Sequence, residues 1–256
     1  MRFRNGLSHI SLVLVLAAGV APAQSTPTMA LVKTNPVQQD AQPWNFGVLT
    51  QGGFGVTENR GGFKFFMVGV RGGKVLTGLS GHGMLRGNFE LGAEVFPLWQ
   101  SYTPTSLRQN CVTAVVFGSA GVSCSAPFTI GGTFTGITIT PDILRWNFAG
   151  TRRFSPWVQG AGGLLWTNHK YPAFGGPPVN TGGLSVNSIG NNAANADTSA
   201  WNFTPQFGVG AHYFVSAHRS LDFGANAIHI SSASLGDKNP GVNASVQFTV
   251  GYSWWK

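Results

Sequence analysis

Charge is scarce in this chain. Asp, Glu, Lys and Arg make up 9% of its 256 residues, against roughly 25% in an average soluble domain. Long apolar runs are scarce too. Beyond Val20 no segment holds about 18 uninterrupted apolar residues, which excludes a helical membrane span. Cysteine is limited to Cys111 and Cys124, and neither has a flanking histidine, so no metal-site pattern exists and no cofactor is implied. The net charge is +8 without a Lys/Arg cluster, which argues against nucleic acid as a partner.

Glycine (36 residues) and aromatic residues (12%) are abundant instead. At the N-terminus Arg2 and Arg4 precede an apolar stretch, Leu12 to Val20, and then Ala21-Pro22-Ala23. This is the pattern of a cleaved secretory signal over residues 1–23. Residues 24–42 are polar and Pro/Gln-rich, and are expected to form a periplasmic tail. Residues 43–256 would form one β domain. An exported chain that is poor in charge, rich in glycine and aromatics, and free of membrane helices fits an outer-membrane β-barrel of a Gram-negative bacterium. Its basic residues would then meet anionic head groups such as the phosphates of lipopolysaccharide. Cys111 and Cys124, close together in an exported chain, are expected to form a local disulfide.

The fold class predicted is all-β, an eight-stranded antiparallel transmembrane barrel. Strands are expected near 44–57, 62–76, 86–99, 134–148, 154–167, 200–214, 219–231 and 243–255. Several alternate cleanly. Phe89, Leu91, Ala93 and Val95 share one face, and Asn88, Glu90, Gly92 and Glu94 the other. Connections 149–153 and 215–218 are short, whereas 100–133 and 168–199 read as long loops, matching short periplasmic turns and long extracellular loops. Trp44, Trp99, Trp157, Trp166, Trp201, Trp254 and Trp255 lie near strand ends, as in interfacial girdles. Glu90, Glu94, Asp142, Arg145 and Gln206 are expected to meet in the lumen, which a barrel of this size fills with side chains. His82, His169, His212 and His218 have no second ligand at metal spacing and read as structural or solvated.

Side chains two apart in a strand share a face. His229 and Ser231 therefore stand side by side, on the same face as Leu221, Phe223, Ala225 and Ala227. In a membrane barrel that face meets lipid. An imidazole beside a hydroxyl is the pairing that turns serine into an acyl acceptor, and an ester-linked acyl chain of a lipid is the substrate at hand.

His229-Ile230-Ser231-Ser232-Ala233-Ser234-Leu235 resembles the His-x-Ser-Asn-Ala-x-Leu signature of the outer-membrane lipid A 3-O-deacylases (the PagL type) and their acyloxyacyl hydrolase relatives. Asn239-Pro240-Gly241, the last strand, Pro141 to Phe148 and Gly160 to Gly163 carry weaker likenesses. The resemblance implies an eight-stranded barrel with a lipid-facing site that hydrolyses the 3-position ester of lipid A through a Ser-His-Glu triad, without a metal. Ser231 is then the nucleophile and His229 the base. The family's acid falls on Asn243, which can orient a histidine but carries no charge. The residue after the nucleophile, an oxyanion candidate, is Ser232. Asp237 is an alternative acid in the same loop. The competing reading is a non-enzymatic barrel, structural, adhesive or lipopolysaccharide-binding, with function on loops 100–133 and 168–199. Parity places Asn243 on the polar face of its strand, so its side chain reaches His229 only if the strand end bends. A homodimer stays open.

Overall fold

The computed structural model describes residues 35–38, 42–57, 60–108, 111–116, 119–169, 199–232 and 243–256. Among these, eleven strands are numbered in chain order: β1 (Trp44–Gly55), β2 (Lys64–Val75), β3 (Gly87–Arg108), β4 (Cys111–Val116), β5 (Ser119–Cys124), β6 (Phe128–Phe148), β7 (Phe154–Thr167), β8 (Trp201–Phe203), β9 (Gln206–Ser216), β10 (Arg219–His229) and β11 (Ala244–Trp255). The main sheet runs β6-β3-β2-β1-β11-β10-β9-β7 and closes through a β6–β7 pairing. All its ladders are antiparallel, and β8 continues β9 in the same register against β7. Eight staves therefore form a closed barrel, as the alternation predicts.

An apolar outer wall and a largely polar interior follow from the pleat. Val48, Val68, Val70, Phe89, Leu91, Ile137, Ile139, Val209, Phe223, Phe248 and Val250 are exposed on the outer wall. Asn45, Gln51, Glu90, Arg145, Asn147, Gln159, His212, Asp222 and Gln247 are buried inside. This is a soluble protein turned inside out, and only a hydrocarbon surround satisfies such a wall.

The lumen is layered. Val37, Val75, Phe214 and Trp255 pack together at the end bearing the short turns. Leu49, Phe65, Met67, Phe96, Trp99, Phe134, Leu165 and Ile230 form a second apolar cluster. Between them lies a polar network. Glu90 accepts from Arg71 Nη2 at 2.7 Å, Asn45 Nδ2 at 2.7 Å and Asn147 Nδ2 at 2.9 Å. Arg145 donates to Gln159 Oε1 from Nη2 at 2.6 Å and stacks 4.1 Å from the Trp157 ring. His212 Nδ1 lies 2.6 Å from Asp222 Oδ1, and both Ser220 and Ser253 donate to the same carboxylate.

Several expectations need correction. Residues 100–133 are largely strand: β3 and β6 pair as far as Arg108 and Phe128, and β4 and β5 form a separate hairpin. A register shift between Thr103 and Ser106 breaks the alternation that reveals strands in sequence, opposite Gly131 and Gly132 at φ 91° and 104°. At Gly131 a Cβ would lie 2.2 Å from the Pro104 carbonyl oxygen, so only glycine fits. Cys111 and Cys124 are register partners in that hairpin, and Cys124 is disulfide-bonded. Asp142 is exposed on the outer wall and not in the lumen, because a bulge between Ile139 and Asp142 resets the parity of β6. Trp99, Trp157 and Trp255 are buried inside; only Trp44, Trp166, Trp201 and Trp254 of the expected girdle face out.

The expected signal segment 1–23 and residues 170–198 of the second long loop lie outside the described residues. Of the tail 24–42, Asn35 to Gln38 is not a free extension. Pro36–Gln38 forms a short 3-10 turn, Asn88 Nδ2 donates to the Val37 carbonyl at 2.7 Å, and Asn35 Nδ2 to that of Thr151 at 2.8 Å.

Replacing Glu90 with alanine strands two buried guanidinium groups, Arg71 and Arg145. The expected loss is about 3–5 kcal/mol of stability, read as a lower urea midpoint for the barrel refolded in lipid vesicles. Glu90→Gln, which keeps the acceptor, should lose less.

Candidate active site on the outer wall

The end of β10 is held from three sides. Ile228 and Ile230 point inward, with Ile230 in the apolar lumen cluster. That anchoring forces the alternate side chains, His229 and Ser231, outward. On one flank the His229 amide donates to the Pro205 carbonyl at 3.0 Å, and Ser231 exchanges two backbone hydrogen bonds with Phe203, at 2.6 and 2.9 Å. On the other, the Ile230 amide donates to the Asn243 carbonyl at 2.9 Å. The ladder thus continues two residues past the strand proper, and the pair sits on fixed backbone. His229 and Ser231 are both half-buried.

The imidazole has a defined partner. His229 Nδ1 lies 3.1 Å from the main-chain oxygen of Asn243. A carbonyl oxygen only accepts, so Nδ1 carries the hydrogen and the neutral ring keeps its lone pair on Nε2. The same tautomer is enforced in a serine hydrolase by a carboxylate.

Asn243 is therefore at the site, but not as the sequence suggests. Its side chain is buried on the lumen face, and neither Oδ1 nor Nδ2 has a hydrogen-bond partner among the described residues. The strand end does not bend to bring the amide round; the backbone carbonyl reaches the ring instead. Ser232 is likewise buried on the inward parity, so its hydroxyl does not share the face of Ser231. Its backbone N–H is the group left to consider as an oxyanion donor. Asp237 lies outside the described residues.

Below the pair the wall is hollow. An open depression of about 340 Å³ is lined by Ala161, Pro205, Phe207, Ala227, His229 and Ala244, among others. Ala227 on β10 and Ala244 on β11 leave room beside the imidazole, and part of this signal was present in the sequence as Ala225 and Ala227 on the same parity as His229. Among the described residues no cluster of His, Cys, Asp or Glu is suited to a metal ion. His82, His169 and His218 are exposed, and His212 belongs to the lumen network.

An antiparallel eight-stranded barrel with an apolar outer wall is the architecture of an outer-membrane β-barrel, and here a His–Ser pair is set into that wall. Residues 140–253 match the family described as lipid A 3-O-deacylase (PagL). The match spans most of the second half of the barrel and includes the pair. Among solved structures, the outer-membrane enzyme PagL is similar at 14% identity, with a TM-score of 0.39 over 81% of this chain and 97% of that one. Neisserial surface protein A is similar at 12% identity and a TM-score of 0.42, covering 83% and 96%. OprG from Pseudomonas aeruginosa is similar at 9% identity and 0.35, covering 85% and 97%. No curated protein matches.

Nitrogen-15 NMR of the folded barrel in micelles should report His229 with Nδ1 protonated and Nε2 bare in the neutral ring. Asn243→Leu should leave that signature in place, because the carbonyl remains. The opposite tautomer would break the assignment.

Proposed function

We propose that the protein is an outer-membrane esterase that removes an ester-linked acyl chain from lipid A at the 3-position. The observation that carries this reading is the His229–Asn243 carbonyl contact beside Ser231 on the lipid-facing wall. The short-turn end would face the periplasm. The pair would then lie at the outer leaflet, where lipopolysaccharide resides and an ester can approach sideways from the membrane.

In this mechanism Ser231 Oγ attacks the ester carbonyl carbon while its proton passes to His229 Nε2. Backbone N–H groups, that of Ser232 among them, receive the negative charge on the carbonyl oxygen. The tetrahedral intermediate collapses by breaking the bond to the sugar oxygen, which takes the proton from Nε2. Water then attacks the acyl-serine with His229 as base, and the fatty acid leaves. The Asn243 carbonyl holds the ring in the productive tautomer throughout. It lacks a full negative charge, so it stabilises the imidazolium less than a carboxylate does. It nevertheless avoids the wrong-tautomer penalty, which accounts for about 10⁴ in turnover when an orienting acid becomes an amide. No cofactor enters any step.

Mass spectrometry of lipid A from outer membranes carrying the protein tests this. Wild type should remove one hydroxyacyl chain. Ser231→Ala and His229→Ala should each lower turnover by roughly four to six orders of magnitude, leaving lipid A intact. Asn243→Ala should stay within about tenfold of wild type, since it keeps the carbonyl. Intact lipid A with a folded wild type would favour a non-enzymatic barrel.

A further inference from the structure

Cationic side chains gather at the short-turn end, opposite to the His229–Ser231 pair. Lys74, Arg86, Arg152, Arg153, Arg219 and Lys256 lie there, all exposed except Lys74, which is half-buried. Among the described residues none of the six forms a salt bridge. The acids nearest this end, Glu90 and Asp222, are buried in the lumen and paired there.

Three of the six are set into one stretch of wall, on the adjacent staves β2, β1, β11 and β10. Lys74 is the register partner of Trp44, and Arg219 that of Trp254. On its other side Trp44 exchanges two backbone hydrogen bonds with Lys256, at 2.7 and 2.9 Å. Lys74 and Lys256 thus flank Trp44, and Arg219 stands one stave beyond, beside Trp254. Both tryptophans are exposed on the outward parity of Phe46, Val48 and Val250. Lys74 Nζ stands 4.9 Å over the Trp44 ring, whose face attracts an ammonium. Trp44 stacks on Phe46 with centroids 6.2 Å apart, and Trp254 meets Tyr252 edge-on at 5.0 Å. Such rings belong at the level of lipid headgroups. With staves about 4.8 Å apart, the three cations span roughly 14 Å of wall, and their long side chains can close that span around one headgroup.

We propose that Lys74, Lys256 and Arg219, with Trp44 and Trp254 between them, form a seat for the headgroup of an anionic phospholipid. The leaflet is the one at the short-turn end, periplasmic in the orientation given above, and the seat does not depend on the esterase reading. Ammonium and guanidinium groups donate charge-assisted hydrogen bonds to a phosphate. Directly above them Phe46, Val48 and Val250 continue the wall into hydrocarbon. An anion bound here is therefore approached sideways from the membrane and carries an apolar body, which favours a lipid over a soluble phosphate. The ring order also makes the seat local. The β6–β7 turn, which bears Arg152 and Arg153, lies across the barrel from β1 and β11.

Native mass spectrometry of the full-length protein released from micelles tests this, with phosphatidylglycerol and phosphatidylcholine supplied in equal amounts. Wild type should retain phosphatidylglycerol over phosphatidylcholine by about tenfold, the order expected of two or three cations at an anionic lipid. Lys74→Gln combined with Arg219→Gln should bring the two lipids to within about twofold. Arg152→Gln combined with Arg153→Gln removes the same charge from the same end and should keep the preference. All four side chains lie outside the lumen, so each variant should match wild type in the heat-induced shift of its gel mobility. A wild type without preference overturns the proposal. Equal losses in both double variants also overturn it, because a diffuse field and no seat would then act. Displacement of phosphatidylglycerol by inorganic phosphate at the same concentration overturns it as well, since the cations would then serve a soluble anion.

Discussion

Everything in this molecule depends on the requirement that each backbone N–H and C=O in hydrocarbon find a partner within the protein. A sheet meets that requirement only by closing on itself. Here β1 pairs with β2 on one side and with β11 on the other, so the first and last staves seal the wall. Closure removes every lipid-exposed edge. It also removes freedom of register, because a slip of one residue would turn an entire apolar row into the lumen. The parity that sends Phe223, Ala225, Ala227, His229 and Ser231 outward is therefore locked by the whole ring and not by local preference. A His–Ser pair on such a stave is aimed by the barrel as a rigid body.

The interior answers a different constraint. A narrow barrel must be filled, and its filling must satisfy polar groups without water to spare. The chain does this with a belt of charge between two apolar layers. Arg71 and Arg145 bridge to Glu90 and Gln159, while His212, Ser220 and Ser253 surround Asp222. Asn35 to Gln38 lies against the short-turn end and ties the segment before the first stave to the turn between β6 and β7. This belt explains why so few charged residues suffice: most of those described within the staves are inside, paired with one another.

Much of this was legible in the sequence because strict alternation is a strong signal. Six of the eight staves fall within a few residues of their expected bounds, and the joint face of His229 and Ser231 follows from parity alone. Two of the failures share one cause. Asp142 reads as a lumen acid until the bulge at Ile139 turns it out, and β3 and β6 lose their alternation where Gly131 and Gly132 shift the register. Trp255 reads as a girdle residue by its position, whereas the lumen at that end has room for an indole and a partner for its N–H in Ser220, at 2.9 Å. Side-chain patterns say which face a residue takes only while the ladder is regular. They say nothing about which carbonyl a ring meets.

That last gap bears on Asn243. The contact that orients His229 comes from its main chain, and every amino acid brings the same carbonyl to that place. Such a role leaves no trace in residue identity. A substitution at position 243 keeps that carbonyl, provided the start of the last stave keeps its place. A signature written in side chains does not record such a contact, because the backbone alone supplies it.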